Sequence, residues 1–190
     1  MTTKIYLASK SPRRQQLLQQ IGVAFEIIDV DIDEHWNGKE QPHVYVERVA
    51  LEKARAAKLK ININQPFAIL GADTSVVLDD VVLGKAENPD QAVAMITRLS
   101  GRMHYVYSAV AVVSNTDEKI KTSISHVYFK PLSKAEIESY CKTGEPVGKA
   151  GGYAIQGRAA AFIERLEGSY SGVMGLPLYE TVELLNQLNL

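Results

Sequence analysis

The sequence predicts an α/β protein in which a mixed, twisted β-sheet is flanked by helices. Three observations carry this expectation. Short apolar β segments alternate with segments that open on helix-capping residues. Two stretches read as antiparallel hairpins, which a purely parallel, doubly wound sheet would lack. At 190 residues the chain suits one domain spanning residues 1–190, or one core with a cleft between two lobes.

In chain order, Ile5–Ala8 reads as a brief apolar strand. Ser11-Pro12 then supplies an N-cap and a proline at the first helical position, and Gly22 closes that helix. Phe25–Val30 reads as a second strand. A polar loop from Asp31 to Gln41 leads to a helix opened by Pro42 and running to Lys60. The apolar run Phe67–Ala72 predicts a buried strand ending at Asp73-Thr74. Val76–Leu78 and Val81–Leu83 flank Asp79-Asp80 and predict a hairpin. A third helix starts at Asn88-Pro89 and stops before Gly101.

Two long β segments, His104–Val113 and Ile120–Phe129, are joined by the polar turn Ser114–Lys119. Ser133-Lys134-Ala135-Glu136 matches a capping box and opens a helix that Gly144 terminates. Five glycines, at 144, 148, 151, 152 and 157, make the next stretch a loop. Ala160–Leu166 returns as a strand, and Pro177–Leu190 forms the last helix.

Composition narrows the functional classes. The chain is 46% hydrophobic and 23% charged, an ordinary soluble composition. No apolar run reaches the roughly 18 residues that would span a membrane, and Met1-Thr2-Thr3-Lys4 carries no secretory pattern. The lone Cys141 excludes an internal disulfide and fits a reducing, cytoplasmic setting. A net charge of −1 gives no basic excess, so nucleic acid is not the expected partner. His35, His43, His104 and His126 lack transition-metal spacing, and neither CxxC nor GxSxG occurs.

Several segments could carry chemistry. Ser9-Lys10-Ser11-Pro12-Arg13-Arg14 lies between a strand end and a helix start, where unpaired N–H groups suit phosphate. It is either a phosphate site or a surface turn with solvated arginines. Lys53 falls in the apolar stripe Val46, Val49, Ala50, Ala57 of its helix. Its stem either snorkels past the core edge, or its ammonium meets a partner in a polar cleft.

Asp73 closes a buried strand and is either a turn cap or a catalytic or metal-binding carboxylate. Asp33-Glu34 are either solvated or available to a hard cation. Ala150-Gly151-Gly152-Tyr153-Ala154-Ile155-Gln156-Gly157 is either a flexible connection with a core tyrosine or a ligand loop. In the second case the Gln156 amide offers a donor and an acceptor to a thymine or uracil edge.

Together these segments resemble the Maf family along nearly the whole chain. The resemblance rests on Leu7-Ala8-Ser9-x-Ser11-Pro12-Arg13-Arg14, Glu52-Lys53-Ala54, Gly71-Ala72-Asp73-Thr74, Ala150-Gly151-Gly152-Tyr153-x-Ile155-Gln156-Gly157 and Gly175-Leu176-Pro177-Leu178. It implies a Maf/ITPase-like fold, two lobes around a deep cleft, often dimeric. It also implies hydrolysis of a nucleoside triphosphate between its α- and β-phosphates, assisted by a divalent metal cation, Mg²⁺ or Mn²⁺. By the same resemblance Asp73 matches the proton acceptor. Arg13, Thr74 and Gln156 match positions of substrate choice. Ser9, Arg14, Glu34, Lys53 and Lys85 match the polar lining of the phosphate and metal site, with Glu34 and Asp73 as the metal carboxylates.

Within the family, the 7-methyl-GTP branch tends to carry an aromatic residue in place of the first arginine and an acid in place of the glutamine. Arg13 and Gln156 therefore resemble the dTTP/UTP branch. One departure is Lys85-Ala86, where relatives commonly have Lys-Pro. The expected function is pyrophosphate release from dTTP or UTP as small-molecule substrate. Its rivals are a pyrophosphatase for modified purine nucleotides, a non-catalytic nucleotide-binding regulator of cell division, and a nucleic-acid-binding module.

Overall fold

The computed structural model describes residues 3–62 and 65–187. Seven strands form one sheet: β1 (Lys4–Leu7), β2 (Glu26–Ile27), β3 (Phe67–Leu78), β4 (Val81–Leu83), β5 (Met103–Ser114), β6 (Glu118–Phe129) and β7 (Ile163–Glu167). Their order is β2-β1-β3-β5-β6-β7, with β4 added beside β3. β1 runs parallel to β2 and β3, whereas the β3–β5, β5–β6, β6–β7 and β3–β4 pairs are antiparallel. The sheet is mixed, as the hairpin signals required.

Helices α1 (Pro12–Gln20), α2 (Pro42–Lys58), α3 (Pro89–Leu99), α4 (Lys134–Cys141), α5 (Tyr170–Met174) and α6 (Leu178–Asn186) surround it. None of the helices among the described residues is long and apolar enough to cross a membrane. Residues 188–190, the end of the predicted last helix, lie outside the described residues.

Local chemistry explains most boundaries. Proline occupies the first turn of α1, α2 and α3, where its missing N–H costs nothing. Asn88 caps α3 by accepting from the Gln91 N–H, and Ser133 and Glu136 form the full capping box of α4. Asp79 and Asp80 both adopt positive φ, 53° and 59°, giving the two-residue hairpin turn whose twist suits the flanking strands.

Four expectations are corrected. Phe25–Val30 contracts to two paired residues because β2 is an edge strand whose neighbour, β1, ends at Leu7. Ser11 makes no side-chain cap; the Ser11 N–H instead donates to Ser9 Oγ at 3.2 Å. Ala160–Phe162 belong to a 3₁₀ helix, Arg158–Phe162, and β7 starts only at Ile163. Finally, β3 does not stop at Asp73-Thr74 but continues to Leu78, because β5 pairs with it from Ala68 to Val77.

That last correction positions the site. On the flank of β3 away from β5, β1 pairs only as far as Leu70, and β4 begins only at Val76. Residues Gly71–Ser75 thus have an open edge, a gap in the sheet with a strand entering on either side. The apolar core divides around it. Leu7, Leu17, Leu18, Leu70, Val110 and Leu184 pack on one side; Val76, Leu78, Ile96, Phe129 and Tyr153 pack on the other. Because alternate residues of a strand point to opposite faces, Asp73 and Thr74 leave this gap in opposite directions while sharing one opening.

Candidate active site

A cleft of about 450 Å³ opens at the gap in β3. Ser9, Arg13, Arg14, Glu34, Lys53, Asp73, Thr74, Lys85 and Gln156 all line it. These nine side chains come from the β1–α1 turn, the first turn of α1, the loop after β2, α2, β3, the segment after β4 and the glycine-rich loop.

Its centre is a buried ion pair. Lys53 is 6% exposed and Asp73 5%. Lys53 Nζ lies 3.0 Å from Asp73 Oδ1 and 3.0 Å from Glu34 Oε1, and donates a 3.5 Å hydrogen bond to the Ala72 carbonyl. A lone ammonium on an apolar helix face would be expensive to bury, and two carboxylates meet it here. Lys53 thus reaches the polar cleft.

Helix α2 approaches β3 closely enough for this contact because residue 71 is glycine. A Cβ there would stand 2.1 Å from the Ala50 carbonyl oxygen and 2.8 Å from the Ala54 N. Gly71 also faces the same way as Asp73, two residues on. The helix therefore seats against bare backbone, and Lys53 reaches the next inward side chain.

Glu34 bridges two lysines, with Oε2 3.1 Å from Lys85 Nζ. Burial pushes its carboxyl up, but Lys53 and Lys85 together hold it below the ordinary carboxylate range. Its loop is tied to α2: the Tyr45 hydroxyl donates to the Glu34 carbonyl at 2.6 Å, and Arg48 pairs with Glu40 at 2.6 Å. Asp33 instead turns outward, its Oδ1 accepting from the His35 N–H.

Arg14 donates Nε to the Gly175 carbonyl at 2.8 Å and Nη1 to Ser9 Oγ at 3.2 Å. Burial lowers its pKa, with the fields of Asp73 and Glu34 opposing that shift. The neighbouring Arg13 is lowered by burial alone. No carboxylate pairs with either guanidinium among the described residues, so both keep donors for an anion. Thr74 Oγ1 lies 2.8 Å from the buried Ser108 Oγ, which orients its hydroxyl.

The glycine-rich loop is pinned in place. The Gly148 N–H donates to Ala86 O at 2.8 Å, the Ala86 N–H to Lys149 O at 3.2 Å, and the Gly152 N–H to Lys149 O at 3.0 Å. Gly151 has φ +62°, and a Cβ on it would meet Val76 at 2.8 Å. Gln156, beyond these ties, is exposed to the cleft.

Lys10 stood in the candidate phosphate segment, but its partner Asp29 and three further lining residues carried no reading in the sequence. Lys10 and Asp29 form a 2.5 Å ion pair at the cleft, and Lys149, Val173 and Met174 also line it. Lys149 precedes Ala150-Gly151 and could have been read with that segment. Val173 and Met174 come from α5, which carries no strong sequence signal.

Six lysines and arginines and three carboxylates line the cleft, so its balance favours anions. Among the described residues there is no cluster of three or more His, Cys, Asp or Glu able to cage a metal. Two carboxylates, Glu34 and Asp73, meet at Lys53. That donor set fits a hard cation held jointly with substrate phosphates and water.

A central gap in an α/β sheet, with a buried carboxylate inside and surplus cations around it, defines a protein that takes polyanionic small molecules. The chain belongs to the Maf family, whose sequence profile, described as Maf-like protein, matches residues 4–188. It is 50% identical over 189 residues to a dTTP/UTP pyrophosphatase of Alkalilimnicola ehrlichii, covering 98% of this chain and 93% of that one. It is 51% identical over 183 residues to a dTTP/UTP pyrophosphatase of Xanthomonas axonopodis pv. citri, covering 95% and 96%. The fold is shared with the Staphylococcus aureus Ham1 protein, at a TM-score of 0.51, 11% identity and 96% coverage of both chains.

Proposed function

We propose that this protein hydrolyses dTTP and UTP between the α- and β-phosphates, yielding the nucleoside monophosphate and pyrophosphate. The observation that carries the reading is Asp73, buried at the sheet gap within a cation-rich cleft, with one oxygen fixed by Lys53. The substrate pair comes from the relatives, both of which carry that activity in their names.

In this reading the phosphate chain lies among Arg13, Arg14, Lys53 and Lys85, with Ser9 Oγ beside it. Asp73 Oδ1 is engaged by Lys53, while Oδ2 has only a 3.5 Å hydrogen bond from Ser75 Oγ among the described residues. That oxygen orients a water and takes its proton as the water attacks the α-phosphorus; the α–β bond breaks and pyrophosphate leaves. A divalent cation, Mg²⁺ or Mn²⁺, held with Glu34 or Asp73 and phosphate oxygens, would supply further neutralisation of the leaving group's charge. Most of the acceleration comes from positioning and from charge already in place. Gln156, Arg13 and Thr74 select the base, the Gln156 amide matching a donor and an acceptor on the pyrimidine edge.

The direct test is pyrophosphate release from dTTP, UTP, CTP, GTP and 7-methyl-GTP, with Mg²⁺ and with Mn²⁺. Preferred turnover of dTTP and UTP supports the reading. Turnover confined to purines, or tight dTTP binding with no pyrophosphate released in either metal, overturns it. The same reading places the protein in the cytoplasm as a homodimer acting on a free nucleotide, not on nucleic acid. Equilibrium sedimentation tests the dimer.

A further inference from the structure

Beneath the cleft lies a histidine to which that reaction gives no role. His104, on β5, is fully buried, and its Nε2 lies 2.8 Å from the hydroxyl of Tyr153. The two rings meet edge to face, with centroids 5.4 Å apart, and Phe129 stands edge-on to both at 5.1 and 5.0 Å. Tyr153 is the residue that follows Gly151-Gly152 and precedes Gln156 by three, and it is one of the residues lining the cleft. Val76, Val106, Val173 and Met174 add apolar lining beside it.

The proton positions in this pair follow from what else is available. Burial pushes the imidazole pKa down to about 4, against a smaller opposing pull from the Arg102 backbone, so the ring is neutral near pH 7. Its Nδ1 makes no well-formed hydrogen bond. Were Nε2 to carry the proton, the Nδ1 lone pair and the phenol proton would both be buried unsatisfied. With the phenol donating to Nε2, only the Nδ1 proton lacks a good acceptor, and it has the Arg102 carbonyl's pull in its favour. Tyr153 therefore donates and His104 accepts.

We infer that His104 is a positioning residue for base recognition: it holds the Tyr153 ring, and with it the loop carrying Gln156, against the apolar part of the cleft. This rests on the reading of the cleft as a pyrimidine triphosphate site. Two glycines with positive φ precede Tyr153, and their freedom lets the loop pass close to Val76. Such a loop needs an anchor on its far side. The His104–Tyr153 bond supplies it from a fixed strand of the sheet. Three of the four phosphate-facing side chains, Arg13, Arg14 and Lys53, stand on other elements; the fourth, Lys85, bridges Ala150, ahead of the glycine pair and on the other side of it from Tyr153. Loss of the anchor should accordingly weaken recognition of the base without weakening recognition of the phosphates.

The test compares wild type with Tyr153→Phe, His104→Leu, His104→Gln and the Tyr153→Phe/His104→Leu double variant. Two quantities are read: the KM for dTTP, and the inhibition constant of inorganic tripolyphosphate, which has no base. Tyr153→Phe and His104→Leu should each raise KM on the order of ten-fold, the effect of one buried hydrogen bond, and by more than they lower kcat. Tripolyphosphate inhibition should stay within about two-fold of wild type. His104→Gln, which keeps an acceptor, should recover part of the loss, and the double variant should be no worse than either single one.

Tripolyphosphate affinity falling in step with that of dTTP, a fall in kcat alone, or multiplying effects in the double variant would overturn the proposal. Should His104→Leu fail to fold, Tyr153→Phe decides, since it loses only a hydroxyl; a wild-type KM there refutes the anchor. A wild-type protein that binds dTTP without hydrolysing it refutes the catalytic reading alone. Calorimetric binding of dTTP and tripolyphosphate then reads the anchor with the same variants. Absence of dTTP binding refutes both.

Discussion

Lys53 and Asp73 face each other across 3.0 Å, their side chains both 8% exposed, one on α2 and the other at the centre of β3. A pair so placed is energetically asymmetric: removing either partner leaves a buried charge behind. Lys53→Met strands the buried Asp73 without a cation and leaves Glu34 with Lys85 alone. The expected outcome is a loss of about 3–5 kcal/mol in chemical denaturation, together with loss of most dTTP turnover.

Asp73→Asn is milder for the fold, because Glu34 still pairs with Lys53 at 3.0 Å. In the proposed mechanism it removes the proton acceptor. Steady-state assay should show kcat reduced by about 10²–10³, with an unchanged circular dichroism spectrum. Full activity in the folded variant would take Asp73 out of the mechanism.

Gly71→Ala tests how the pair is brought together. The new methyl would collide with the backbone of α2 at 2.1 Å, and backbone cannot rotate away as a side chain can. Destabilisation at or above the upper end of the usual overpacking cost, about 3 kcal/mol, is expected. Activity should fall as well, since any retreat of α2 carries Lys53 away from Asp73. Thermal melting and turnover should therefore decline together.

Of the groups in and beneath the cleft, two should weaken the fold in acid, in different windows. His104 has an ordinary pKa of 6.5 and a folded one of about 4. Between those values the unfolded chain binds a proton that the buried ring refuses, so stability rises with pH from 4 to 6.5 and this contribution is flat above. The span is about 3 kcal/mol. Glu34 is held low when folded, so its contribution is present above the unfolded value of 4.5 and is lost as pH falls through the folded one. Urea denaturation of His104→Gln should lack the slope between pH 4 and 6.5 and keep the one below 4.5.

Gln156→Glu replaces the amide's donor with a second acceptor. A pyrimidine edge that presents both a donor and an acceptor then loses one match and faces a charge. Its kcat/KM for dTTP should drop by roughly ten- to hundred-fold, while inhibition by pyrophosphate changes little. Equal losses for both ligands would place Gln156 with the phosphates.

Features set by a few adjacent residues were legible in the sequence. The Asp79-Asp80 turn, the Asn88 cap and the Ser133–Glu136 box depend on neighbours within about one turn, and the apolar stripe that makes Lys53 anomalous lies within its own helix. What could not be read depends on distant partners. β3 passes through Asp73 because β5 supplies a mate, Ala109, far along the chain. The gap beside Gly71–Ser75 exists because β1 stops and β4 starts, a fact no local pattern encodes. Ser9 displaces Ser11 as the acceptor at α1 for a similar reason, since Arg14 and Gly175 fix the surrounding geometry. The side chains lining the cleft were nonetheless largely found, because cations and acids in apolar company stand out wherever they fall.

Since β3 is matched by β5 over nearly its whole length and runs through both halves of the core, the Asp73 carboxylate sits on the molecule's keel. The β3 amides bonded to β5 should be among the slowest to exchange with heavy water, and those of the glycine loop among the faster. Warming or mild denaturant would then blunt the grip on nucleotide before it disturbs the carboxylate proposed to take the water's proton. Partial damage would show as a protein that needs more substrate, not as one that has forgotten its chemistry.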